Sequence, residues 1–237
     1  MREYRIASGT ASLLCRESGE GAPLVLLHGN GEDSTYFKRQ FPVFARRFRV
    51  IAVDSRGHGG STAGEEELTI GRMADDLLAV LDALGLERAH ILGFSDGGNV
   101  ALVFALRYPE RVDKLILNGA NVRMLRGVQP WVQLPLYPVC GLLSMLSRRD
   151  EGAARRLAVL SLMTRGYGVD FADLERIGAE TLVITGEHDM IRTEETDRIA
   201  AALPRVRRVT IPGAGHFCAA GAPGRFNLAV MQFLLDE

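Results

Sequence analysis

The chain has 237 residues, 47% of them hydrophobic and 24% charged, a balance that excludes long disorder, collagen and coiled coils and is enough to bury one large core. Its 28 Lys+Arg against 29 Asp+Glu give a formal charge of −1, so no basic surplus points to nucleic acid. Cys15, Cys140 and Cys218 are an odd set without CxxC or Cys/His ligand spacing, which argues against a disulfide framework or a structural zinc.

At the start, Met1-Arg2-Glu3-Tyr4-Arg5 carries an early acid and no following apolar run. It does not read as a signal peptide, and a cytoplasmic location is expected. Short alternating runs at Tyr4 to Ile6 and Ala11 to Cys15 precede a continuous apolar run from Leu24 to Leu27, the pattern of a strand covered on both faces. Ser34 opens a predicted helix to about Arg47, and Arg49 to Val53 is the next strand. Ile70, Met73, Leu77, Val80, Leu81 and Leu84 recur with helical period until Gly85 stops them. Ala89 to Phe94 is a strand, Asn99 to Arg107 a helix stopped before Pro109, and Lys114 to Leu117 another strand. Repeated alternation of strand and helix predicts an α/β fold with a mainly parallel, doubly wound sheet.

The rhythm then breaks. Roughly 60 residues between Asn118 and Thr181 lack a clear strand, where α/β connections usually take about 2 to 6 residues. This predicts a helical lid over 119–178, inserted into a core made of 1–118 and 179–237. The most apolar stretch, Trp131 to Leu146, is shorter than the ~20 residues that span a bilayer and contains Pro135, Pro138 and Gly141. No membrane partner is expected from it. Val139 to Leu146 and Ala153 to Met163 have helical apolar spacing, and Trp131, Leu134, Leu136 and Tyr137 are candidates to line a substrate pocket. Thr181 to Thr185 resumes the strands, followed by a helix at Glu194 to Leu203, a strand at Arg207 to Ile211 and a helix at Phe226 to Leu235.

Gly93-Phe94-Ser95-Asp96-Gly97-Gly98 falls where a predicted strand turns into a helix. Such a turn lifts a hydroxyl off the sheet and crowds the backbone, so small residues are needed two before and two after the serine, and the helix terminus favours developing negative charge. A serine needs a base, and the base needs a carboxylate. His28, His58 and His90 precede the serine; His216 lies in Gly213-Ala214-Gly215-His216-Phe217, past the last predicted strand, and Asp189 follows the strand Thr181 to Thr185. Both fall at carboxyl ends of strands, where open α/β sheets place their sites. Glu187 is a rival acid, Asp113 a more distant one, and His188 a weak rival base. His28 and His58 read as loop braces, Asp96 as the cap of its helix, and Cys218 as a buried thiol.

These motifs together resemble the α/β-hydrolase superfamily, from about Leu24 to the carboxyl terminus. His28-Gly29-Asn30-Gly31 resembles its oxyanion-loop signature and Asp54-Ser55-Arg56-Gly57-His58-Gly59 its D-x-R-G-x-G turn. The order Ser95, Asp189, His216 is the order of its triad. The resemblance implies an oxyanion hole from the backbone N–H groups of Asp96 and Asn30, with Gly31 the nearest alternative. It implies a serine hydrolase acting on small esters, thioesters or lactones, without cofactor or metal, as a monomer or homodimer with a small-molecule acyl substrate as its partner. A carbon–carbon bond hydrolase and a non-catalytic receptor are the alternatives. A dehalogenase would need a carboxylate where Ser95 stands, and Gly29-Asn30-Gly31 lacks the remainder of a nucleotide-binding motif.

Overall fold

The computed structural model describes residues 1–236. Its strands are β1 (Arg2–Ser8), β2 (Ala11–Ser18), β3 (Pro23–Leu27), β4 (Arg49–Val53), β5 (Ala89–Phe94), β6 (Val112–Asn118), β7 (Glu180–His188) and β8 (Val206–Gly215). They form one sheet in the order β1-β2-β4-β3-β5-β6-β7-β8. The first two are antiparallel to their neighbours and the other six run parallel. The continuous apolar run of β3 has the expected cause: Val25 and Leu27 pack into one core, and Leu24 and Leu26 into the core on the opposite face.

The helices are α1 (Phe41–Phe44), α2 (Ile70–Ala83), α3 (Asp96–Arg107), α4 (Pro130–Leu146), α5 (Glu151–Ser161), α6 (Thr193–Ala202), α7 (Cys218–Gly221) and α8 (Pro223–Leu235). One face of the sheet is covered by α2, α3 and α6, the other by α1 and α8. The predicted helix from Ser34 to Arg47 is not continuous. A 3₁₀ turn, Ser34–Phe37, capped by the Asp33 side chain, precedes the single turn of α1, with Pro42 in its first turn. Proline lacks the N–H and clashes with the carbonyl four residues back, which favours it in the first turn of a helix, and α1 starts afresh there.

Between β6 and β7 lie α4, α5 and a 3₁₀ turn at Phe171–Arg176. This segment is tied down at its base. Glu195 on α6 is fully buried and accepts from the backbone N–H groups of Val122 and Arg123 at 2.9 and 2.8 Å and from Arg123 Nε at 2.8 Å. Val128 bridges to Ile191, and the Tyr167 hydroxyl donates to Asn121 O at 2.7 Å. By contrast, α4 buries none of its residues. Among the described residues no helix is long and apolar enough to cross a membrane.

In the sheet order β3 has β4 on one side and β5 on the other. Connections from these strands diverge at that point, opening a crevice beyond their carboxyl ends. The loop after β3 and the turn after β5 flank it.

Candidate active site

Ser95 sits between β5 and α3 with φ 53° and ψ −119°. Apart from Asp236, it is the one non-glycine with positive φ among the described residues. Crowding on both sides explains its neighbours. A Cβ on Gly93 would stand 2.2 Å from Gly97 O, and one on Gly97 would stand 2.2 Å from Leu27 O. The Ser95 N–H donates to Asn118 O at 2.8 Å, which fixes the turn to the end of β6.

Asp189 follows β7 and His216 follows β8, adjacent strands of the sheet. Their side chains are both 4% exposed, and Asp189 Oδ1 stands 2.6 Å from His216 Nδ1. The same oxygen accepts from the Ile191 N–H at 2.9 Å. His216 packs on Phe94, rings 4.8 Å apart, and Phe94 is stacked in turn on Tyr36 at 4.3 Å. Gly119 makes room for the imidazole: a Cβ there would lie 2.8 Å from His216 Cε1. Nε2 of His216 is buried without a partner among the described residues, and Ser95 makes no hydrogen bond to it. Asp189 and His216 are therefore joined, while Ser95 is held in the turn after β5.

The rivals fall elsewhere. Glu187 is exposed and accepts from the Gly213 N–H at 2.8 Å, bracing the loop before His216. His188 is exposed beside it, and Asp113 pairs with Arg88 at 2.9 Å. His28 accepts from the Ser55 N–H at 2.9 Å, so it braces the loop after β3 against the turn after β4, and burial lowers its pKa to about 4. Burial pushes the Cys218 thiol up to about 12, leaving it protonated and unreactive.

Asp96 does not cap α3. Ser95 occupies the N-cap position and Asp96 is the first helical residue. Its buried carboxylate accepts from Asn30 Nδ2 at 2.9 Å and Asn99 Nδ2 at 3.4 Å, with burial raising its pKa. Asn30 Nδ2 also donates to Val159 O on α5 at 2.7 Å. The loop after β3, the turn at Ser95 and the segment between β6 and β7 thus meet at one side chain. The N–H of Asp96, at the first turn of α3, has no intrahelical acceptor.

A cavity of about 630 Å³ adjoins the oxyanion loop, lined by Asn30, Gly31 and Glu32, by the turn Gly57-His58-Gly59, and by Val139, Leu143, Arg155, Arg156, Val159 and Leu160 from α4 and α5. Neither Ser95 nor His216 is in its wall. Trp131, Leu134, Leu136 and Tyr137 do not line it either: Trp131, Leu134 and Tyr137 face solvent and Leu136 is half-buried. Helical phase accounts for Trp131 and Leu134, which share the outward side of α4 with positions 138, 142 and 145, whereas Val139 and Leu143 lie in the cavity wall. Glu32 was not legible as a site residue. It accepts from the Gly29 N–H at 3.2 Å, and burial raises its carboxyl to about 7.

The family described as the alpha/beta hydrolase fold matches residues 22–156. "Putative carbamate hydrolase RutD" of Caulobacter sp. (strain K31) is 30% identical, over 97% of this chain and 98% of its own. A 2-hydroxy-6-oxononadienedioate/2-hydroxy-6-oxononatrienedioate hydrolase of Cupriavidus pinatubonensis is 32% identical, over 93% and 89%. A solved structure titled "Est816 as an N-Acyl homoserine lactone degrading enzyme" superposes with a TM-score of 0.82 at 27% identity, covering 97% of this chain and 100% of that one. The strained serine turn, the sheet order and these likenesses agree, and the chain belongs to the alpha/beta hydrolase family.

Proposed function

We propose that this hydrolase cleaves small esters, thioesters or lactones with Ser95 as nucleophile, His216 as base and Asp189 as the acid that orients it. One arrangement carries the reading: a serine in a strained strand-to-helix turn beside a buried Asp189–His216 pair 2.6 Å apart. Ser95 Oγ adds to the carbonyl carbon while its proton passes to His216 Nε2, and Asp189 stabilises the imidazolium at Nδ1. The oxyanion is taken by the N–H groups of Asp96 and Asn30, each donor worth about 3 kcal/mol in comparable sites. Asn30's side chain is occupied by Asp96 and Val159, which leaves its backbone N–H for this role. Collapse breaks the bond to the alcohol or thiol, which leaves with the proton from His216. Water then gives a proton to His216, its oxygen adds to the acyl carbon, and Ser95 departs with that proton. The step needs Ser95 Oγ within about 3 Å of Nε2, a contact that often forms only with substrate bound.

The test is labelling with a fluorophosphonate probe and mass mapping. Modification of the Ser95 peptide, absent in Ser95→Ala, is expected; a label on another residue overturns the assignment. On a p-nitrophenyl ester panel, Ser95→Ala should lose about 10⁴-fold or more and Asp189→Asn up to about 10⁴-fold, with Glu187→Gln far less affected. A second reading, hydrolysis of a carbon–carbon bond in a diketone, is supported by the name of the Cupriavidus relative. Product analysis with a diketone substrate separates the two.

A further inference from the structure

The cavity beside the oxyanion loop carries more positive charge than a pocket for a neutral acyl group needs. Its ionisable lining is Arg155 and Arg156 from α5, His58 from the turn after β4, and Glu32. Arg155 Nε donates to Gly57 O at 3.0 Å, which holds the guanidinium against that turn. Among the described residues neither of its terminal nitrogens has a hydrogen-bond partner, and no carboxylate lies within ion-pair distance of Arg155 or Arg156. Both side chains are exposed to solvent, and of the two only Arg155 is held in place by a hydrogen bond to the backbone.

His58 adds an independent observation. It is 4% exposed and lines the cavity. Nδ1 faces the Arg56 carbonyl at 2.8 Å, so Nδ1 carries the proton and donates it, and Nε2 is left as a buried lone pair without a partner among the described residues. A buried polar atom is normally satisfied. Burial first, and the Arg155 charge after it, lower the His58 pKa, consistent with a neutral ring beside a cation. Glu32, the one carboxyl in the lining, is raised to about 7 by burial, so below neutrality nothing in the wall offsets the two guanidinium groups.

We infer that Arg155 forms an anion subsite, and that this hydrolase takes substrates bearing a carboxylate remote from the bond that is cleaved. The two terminal nitrogens of a guanidinium pinned through Nε match a carboxylate in paired geometry. His58 Nε2 offers an acceptor to a hydroxyl or amide N–H in the same substrate. The apolar wall of Val139, Leu143, Val159 and Leu160 covers the methylenes between. The inference rests on the hydrolytic reading above, and the experiment separates the two.

Kinetics of p-nitrophenyl hydrogen glutarate and hydrogen adipate are compared with those of the neutral valerate and hexanoate esters. At least one acid ester is expected to exceed its neutral counterpart by about tenfold or more in kcat/KM, the size of one charge-assisted hydrogen bond. In Arg155→Met the acid-to-neutral ratio should fall to near one, and in Arg155→Lys an intermediate ratio should survive. A ratio near one in the unmodified protein overturns the subsite, as does an Arg155→Met variant that slows both esters equally, the signature of a merely structural role. If no ester is turned over and no probe labels Ser95, the hydrolytic reading fails instead. Calorimetry with glutarate and adipate then tests the subsite without turnover: binding lost in Arg155→Met supports it, and no binding to the unmodified protein overturns it.

Discussion

Ser95 stores strain in the turn from which its proposed nucleophilic role follows. A serine at φ 53° and ψ −119° occupies backbone space that glycine enters freely, and such residues cost about 1–3 kcal/mol. Ser95→Gly should therefore abolish esterase activity while raising the stability to urea by about 1 kcal/mol. An unfolding midpoint below that of the unmodified protein would show that the turn is not strained. Glu32 stores a different cost. Burial penalises the ionised form and pushes its carboxyl up to about 7, above the ordinary 4.5 of a glutamate. Between those two values the unfolded chain has released a proton that the folded chain retains, so stability from this group is present below about 4.5 and is lost as pH rises through about 7. Glu32→Gln should flatten the pH dependence of stability between pH 5 and 8 and raise stability most at pH 8. Parallel curves for the two proteins would refute the assignment.

Strands and helices that answer to one dominant force were legible in the sequence. The apolar run of β3 and the periodic face of α2 have boundaries within a few residues of expectation, because burial decides both. The strained turn at Ser95 was legible because the crowding at Gly93 and Gly97 leaves a glycine signature. The pairing of Asp189 with His216 was legible only through chain order and their place after β7 and β8. What escaped depends on tertiary partners. Asp96 turns to Asn30 rather than to its own helix, and Glu195 looks like a surface residue of α6 until the inserted segment's first loop covers it. The buried ion cluster is of the same kind. Arg56, fully buried, is gripped by Asp76 at 2.9 and 2.6 Å and by Glu66 at 2.7 Å, while Ser8 Oγ donates to Asp76 at 2.6 Å. It joins β1, α2 and the turn that carries His58. Removing Asp76 leaves the partly exposed Glu66 as the one counter-charge of a buried guanidinium, and breaking a buried pair costs up to about 3–5 kcal/mol. Asp76→Asn is thus expected to lower stability by that amount in urea titration. A loss under 1 kcal/mol would mean that Arg56 finds water instead.

Across the whole molecule, the strand ends of a sheet covered by two helical layers carry Ser95, Asp189 and His216, while α4 and α5 border the cavity with far less burial. Val139 and Leu143 on α4 and Val159 and Leu160 on α5 form its apolar wall, so they, and not the outward Trp131, should limit the acyl chain. Each methylene that enters the cavity contributes about 0.8 kcal/mol, about a fourfold gain in kcat/KM. A space of about 630 Å³ lies within the range of small-ligand pockets and ends that gain before long lipid chains. For neutral p-nitrophenyl esters, kcat/KM should rise from acetate, peak at short or medium length, and fall for long chains. Leu143→Ala should move the peak toward longer esters by opening the roof, and Trp131→Ala should leave it in place. A profile that climbs without a peak would mean that α4 swings clear of the cavity during turnover. A peak that moves with Trp131 and not with Leu143 would mean that the helix turns its other face inward when substrate binds.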